Sequence, residues 1–213
     1  MEKSLLITRP EHDVTTLYIS KWSEKVLKEA KNIDITDLHR KKANRERVTG
    51  ILKKKTDVKM LIVFNGHGND VAVAGHDDEV LITKDSADLL ANKIVYARSC
   101  RSAKVLGRLA IANGGLAYLG YEEDFIFLID EDKVTKPLED TKAALFMEPS
   151  NYVITSLLKG HSASDANERS KGQFRKNLEK ALTGKTTEDS YAARFLFWNM
   201  TNQVCLGDGL ASI

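Results

Sequence analysis

Two residues able to act together as nucleophile and base stand in matching surroundings in this sequence. His67 lies in Asn65-Gly66-His67-Gly68 and Cys100 in Arg98-Ser99-Cys100-Arg101-Ser102. A cysteine attacks as its thiolate. An imidazole beside it can take the thiol proton and later hand it to a leaving amine. The backbone N–H groups of Gly68 and Cys100 are the expected donors to a developing oxyanion. Glycine on both sides of His67 would let a substrate approach closely, and Arg101 would favour the thiolate. Either residue alone reads as a turn histidine or a small strand-end cysteine; their shared context points to a site.

That context is set by two apolar runs, residues 60–64 ahead of His67 and residues 94–97 ahead of Cys100. Short Val/Ile-rich runs bounded by glycine or turn residues read as buried strands, and sites in open α/β sheets collect at the carboxyl ends of strands. Further strands are expected at 4–8, 33–35, 116–119 and 203–206. Helices are expected at 14–31, with Asp13 as N-cap, then at 41–55, 103–112, 141–146, 150–159, 165–182 and 190–198. Residues 86–91 fit one or two helical turns. Residues 71–74 and 80–82 flank a polar link and read as a β-hairpin between the His and Cys strands. Alternating strands and helices predict an α/β fold with a mostly parallel sheet and helices on both faces.

The chain has 213 residues, enough for one domain over 1–213 with a substantial core. A net charge of +2 gives no reason to expect a nucleic-acid or membrane partner, and no run of 18 apolar residues is present. Leu5-Leu6-Ile7 is too short for the core of a signal peptide. Two cysteines make no disulfide framework, so a reducing, cytoplasmic setting with free thiols is expected. The basic residues from Arg40 to Lys55 lack interleaved aromatics and read as a solvated helix face. His76 with Asp77 and Asp78 reads as a hairpin turn rather than a metal site, and His12, His39 and His161 have no partner visible in sequence. Cys205 reads as a core thiol, Trp22 and Trp198 as core anchors. Gly184-Lys185-Thr186 lacks the upstream glycine and strand of a phosphate loop.

An apolar strand ending in His-Gly, then a second ending in a small residue and Cys, resembles the caspase-like cysteine peptidases. This superfamily includes caspases, metacaspases, gingipains, separase and the bacterial CHAT-domain peptidases, the last being the nearest in pattern. The hairpin between the two blocks is similar, as are the segments 114–120 and 203–208, so the resemblance runs from about residue 4 to 209. It implies a caspase-like three-layer sandwich and a cysteine endopeptidase. His67 would be its base and Cys100 its nucleophile, acting through an acyl-enzyme thioester. It implies no cofactor and no metal, although some relatives use calcium. A protein or peptide would be the substrate, and an activating or regulatory protein a further partner.

In that family the position two before the cysteine tends to line the pocket for the residue preceding the cut. Here it is Arg98, where many relatives carry an acidic residue or glutamine, and Arg98 would favour an acidic or polar side chain. Glu122, Glu123 and Asp124 follow the next strand and would attract Lys or Arg. Bidentate Arg–carboxylate pairing of Arg98 with one of these acids would leave a neutral pocket. All three options stay open. The acid-rich stretch 121–140, with its apolar island 125–129, is the candidate gating or self-cleaved loop. A catalytically silent, peptide-binding version of the same fold is the alternative function. Amidotransferase-type hydrolases place the cysteine ahead of the histidine, the reverse of the order here.

Overall fold

The computed structural model describes residues 3–213. Strand β1 (Lys3–Arg9) leads through α1 (Val14–Glu29) to β2 (Ile33–His39), and α2 (Arg45–Lys54) leads to β3 (Met60–Asn65). Three short strands follow: β4 (Gly68–Asn69), β5 (Ala72–Ala74) and β6 (Val80–Thr83). Next come β7 (Lys93–Arg98), α3 (Leu106–Ala112) and β8 (Ala117–Tyr121). The chain closes with α4 (Thr141–Leu158), α5 (Ala163–Thr183), α6 (Thr187–Asn202) and β9 (Gln203–Gly207).

The main sheet has the order β2-β1-β3-β7-β8-β9. Its first five strands are parallel and β9 runs antiparallel to β8. β4, β5 and β6 form a small antiparallel sheet, with the expected hairpin as β5 and β6. The chain leaves β1 for β2 on one side and takes up β3 on the other. This reversal of strand order opens a crevice at the carboxyl ends of β1 and β3.

Both faces of the sheet are covered, so its central strands are apolar throughout rather than alternating. Leu5 and Ile7 of β1, Leu61 and Val63 of β3, and Ile94 and Tyr96 of β7 pack with residues of α1, α4, α5 and α6. Leu6, Ile62, Phe64, Val95 and Ala97 point the other way, toward α2, α3 and the small sheet. The molecule is thus a mostly parallel six-stranded sheet with helices on both faces, four of the six on one side.

Two expectations shift. The separate helices 141–146 and 150–159 are one helix, α4, running through Pro149. Proline cannot serve the carbonyl four residues back, but the Asn177 side-chain amide of α5 donates to Leu145 O at 2.7 Å and replaces that bond. The helix expected over 103–112 begins only at Leu106. Arg101 has a left-handed backbone, φ 56°. The N–H groups of Arg101 and Ala103 go to the carbonyls of Glu123 and Tyr121, so this stretch is stitched to the chain beyond β8 instead.

Candidate active site

The site is built at the carboxyl ends of β1, β3 and β7. Thr8 and Asn65 tie the first two together: the Asn65 N–H donates to Thr8 Oγ1 at 3.0 Å and Asn65 Nδ2 to Thr8 O at 2.8 Å. Beyond β3 the chain enters Gly66-His67-Gly68. Gly66 has φ 143°, and a Cβ there would overlap Ala74 O. A Cβ on Gly68 would lie 2.8 Å from Ser99 Cβ and 3.2 Å from Cys100 O. The two glycines therefore let the His67 turn close against β5 on one side and the Cys100 loop on the other. This is a role in assembling the site rather than in admitting substrate.

His67 and Cys100 line one cleft of about 330 Å³. Its walls are Val14 and Thr15 from the start of α1 and Phe125, Ile126, Phe127 and Ile129 from the segment after β8. That segment is fixed from behind. The buried Asn199 of α6 accepts from the Ile126 N–H at 3.0 Å and donates to Ile126 O at 2.6 Å. The indole N–H of Trp198 donates to Asp124 O at 2.9 Å. Trp198 is accordingly a half-exposed clamp, not the expected core anchor. Asp140, the N-cap of α4, accepts from the Asp130 N–H at 2.8 Å at the far end.

A third residue joins the site. Asp13 caps α1: its Oδ1 accepts from the Thr16 N–H at 2.7 Å, and its own N–H donates to Thr16 Oγ1. Its other oxygen, Oδ2, lies 2.6 Å from His67 Nε2. Burial alone would raise the Asp13 carboxyl, but the bonds from Thr16 and His67 outweigh it and hold the group below its ordinary value. Asp13 is therefore a carboxylate at neutral pH. It fixes the His67 proton on Nε2, which leaves Nδ1 as the ring nitrogen with a lone pair. The sequence shows Asp13 only as a cap, because nothing local marks a helix-capping aspartate as the partner of a histidine 54 positions away.

Cys100 is half-buried. Burial raises its thiol and the neighbouring Asp124 carboxylate raises it further; the Phe125 N–H and Arg101 lower it without reversing the direction. The expectation that Arg101 would favour the thiolate is outweighed, because its guanidinium is shared with Asp124 at 3.1 Å and Asp70 at 3.7 Å. The resting thiol is neutral.

The residues expected in a substrate pocket are dispersed. Arg98 does not line the cleft. It is fully buried on the α4 side of the sheet, where it donates to Asn151 Oδ1 at 2.7 Å and stands over the Tyr96 ring. The alternating side-chain directions of β7 send it there. The pairing with the acids beyond β8, one of the three options, does not form. Glu122 bonds Arg108 at 2.5 Å, Glu123 bonds Lys104 at 2.8 Å, and Asp124 alone stays beside Cys100.

The Gly68 N–H is not engaged by β5. Ala74 donates its N–H to His67 O at 2.9 Å. That makes His67 and Ala74 the hydrogen-bonded pair and Gly68 and Val73 the non-bonded one, so the Gly68 N–H points away from β5. Cys205, the other thiol, is half-buried on β9 and pushed up to about 11 by burial and the nearby Asp208. Among the described residues, no helix is long and apolar enough to cross a membrane. No family model matches the chain, and no curated protein matches it.

Proposed function

We propose that the chain is a cysteine endopeptidase of the caspase-like class, acting through Cys100, His67 and Asp13. The observation that carries this reading is the 2.6 Å contact of Asp13 with His67 Nε2 in a cleft His67 shares with Cys100. A base oriented by a carboxylate and facing a nucleophile is the arrangement acyl transfer needs. The mostly parallel sheet with helices on both faces and the hairpin between the His and Cys strands are compatible with the same class.

The reaction would run as follows. The Cys100 thiol gives its proton to His67 Nδ1 as its sulfur bonds to the scissile carbonyl carbon. Asp13 stabilises the imidazolium, and the Gly68 and Cys100 N–H groups receive the oxyanion. The imidazolium proton passes to the leaving amine as the C–N bond breaks, leaving a thioester on Cys100. Water, deprotonated by His67, then attacks the thioester, releases the carboxylic acid and restores the thiol. Because the resting thiol is neutral, proton transfer accompanies attack.

The cleft walls are apolar, and the charges expected near them are absent or paired. Of the options for substrate preference, the neutral pocket fits best, and it would take an apolar side chain beside the cut. The neutral Cys100 thiol favours one second reading, a caspase-fold module that binds peptides without cutting them. Digestion of a diverse peptide library by the protein and by Cys100→Ala, with cut sites read by mass spectrometry, separates the two. Cuts made only by the unmutated chain, mostly beside apolar residues, are expected. Absence of cuts together with failure of an electrophilic peptide to label Cys100 would transfer the assignment to the binding module.

A further inference from the structure

His67 also borders two residues that the peptidase reading does not use, His12 and Asp78. His12 precedes Asp13 in the loop after β1, and its ring meets the His67 ring edge-on with centroids 5.9 Å apart. Asp78 sits at the tip of the β5–β6 connection, where Asp77 and Asp78 both adopt left-handed backbone, φ 54° and 57°. The sequence marks this tip as a turn; the fold brings it over His12. His12 Nε2 lies 3.3 Å from Asp78 Oδ1 and 3.8 Å from Asp13 Oδ2. One potential ligand atom each from His12, His67 and Asp78 falls within 4.8 Å of the others.

We propose that His12, His67 and Asp78 form a site for a divalent transition metal of the zinc class beside Asp13, and that its occupancy switches off His67 as a base.

Two imidazoles with carboxylates are a zinc-type donor set, unlike the all-oxygen sets that hold calcium or magnesium. Zinc lies about 2.0–2.2 Å from nitrogen and oxygen ligands, so tetrahedral ligand atoms stand about 3.3 Å apart. The His12–Asp78 separation already meets this spacing, and the His67 ligand atom lies within 4.8 Å of both. With both histidines neutral, the two aspartates carry a charge that a divalent ion would balance. His12 Nε2 is within hydrogen-bond reach of Asp78 Oδ1 at 3.3 Å, but its Nδ1 is buried with no partner. His76 packs on His12 with centroids 5.4 Å apart, but its Nδ1 already accepts the Glu11 N–H at 3.3 Å. It is a neighbour rather than a ligand.

The effect on His67 follows from its two nitrogens. Without metal, the proton sits on Nε2 against Asp13 and Nδ1 has the lone pair. With metal on Nε2, the Nε2 lone pair is donated to the ion and the ring proton moves to Nδ1. No net proton is released, but Nδ1 becomes a donor and cannot accept the thiol proton of Cys100. This inhibitory step rests on the peptidase reading; binding of the metal does not.

The test uses cobalt(II) as an optical probe of the chelator-treated full chain. A one-to-one tetrahedral cobalt band, displaced by zinc and kept in Cys100→Ala, is expected. His12→Gln and Asp78→Asn should each weaken it by roughly tenfold or more, with circular dichroism reporting on folding. Asp78 is exposed, so its variant decides should His12→Gln fail to fold. Absence of stoichiometric binding, affinity indifferent to both substitutions, or a thiolate-to-cobalt band lost in Cys100→Ala would overturn the site. In an active preparation, the ratio of rates with and without zinc, taken within each variant, should fall sharply for the unmutated chain and much less for Asp78→Asn. Equal ratios would overturn the switch while leaving the peptidase reading intact. A chain with no peptidase activity that still shows the cobalt band would retain the site and count only against that reading.

Discussion

At the scale of single residues, Asp13 holds two jobs on its two oxygens, one for α1 and one for His67, and one substitution separates them. Asparagine caps a helix about as well as aspartate, so Asp13→Asn should leave thermal stability nearly unchanged. It removes the negative charge that supports the imidazolium, so peptide cleavage should fall on the order of a hundredfold or more. A large loss of stability with cleavage intact would assign Asp13 to the cap alone. Cys100 yields a second expectation. Its thiol is raised chiefly by burial and then by Asp124, so alkylation by a small electrophile should keep rising past about pH 8.5, the ordinary cysteine value. Asp124→Asn should move that rise to lower pH. A plateau already reached near neutrality would instead show a preformed thiolate–imidazolium pair. His67 and Cys100 are legible in the sequence because each ends an apolar strand. Asp13 is not, because the His67 contact is created by the neighbouring β1 and β3. Arg98 misleads because motif spacing marks its place in the chain, while the strand's alternation decides which face it takes.

At the scale of elements, the apolar strands and amphipathic helices are legible to within a few residues, since their burial writes itself into periodicity. The exceptions are places where a side chain from elsewhere completes a backbone bond. Pro149 reads as a break between helices, yet α4 continues because Asn177 supplies the donor that proline lacks. This gives a double-mutant cycle. Asn177→Ala should cost about 1–3 kcal/mol by leaving the part-buried Leu145 carbonyl without a partner. In a Pro149→Ala background the restored N–H can serve that carbonyl, and the cost of Asn177→Ala should shrink markedly. Equal costs in both backgrounds, measured by urea unfolding, would show that Asn177 acts through its other contacts. The cleft wall depends on the same kind of distant help. Residues 122–130 form no strand or helix, and α6 holds their place through Trp198 and Asn199. The apolar island 125–129 is visible in the sequence, but which surface it covers is decided by two side chains more than 70 positions further on.

At the scale of the molecule, the reversal of strand order at β1 concentrates charge as well as chemistry. Glu11, directly ahead of His12 and Asp13 in the chain, buries its side chain with the carboxylate against Ser20, Lys21, His39 and Arg40. Burial by itself would raise this group, yet the bonds from Arg40, His39 and Ser20 prevail and lower it from 4.5 to about 2. A carboxyl lowered on folding stabilises the folded state above its unfolded value and loses that contribution as pH falls toward its folded value. From this shift the contribution is about 3 kcal/mol, complete above about pH 4.5 and gone near pH 2. Glu11 joins β1 to α1 and, through His39 and Arg40, to the end of β2, so its protonation should loosen the connection that also carries His12 and Asp13. Glu11→Gln should therefore destabilise the protein near neutrality and differ little from the unmutated chain near pH 2. Urea unfolding at a series of pH values checks this: the two stability curves should converge as the pH falls. Curves that stay parallel across the acid range would mean that Glu11 acts through packing, with no part in the acid lability of the fold.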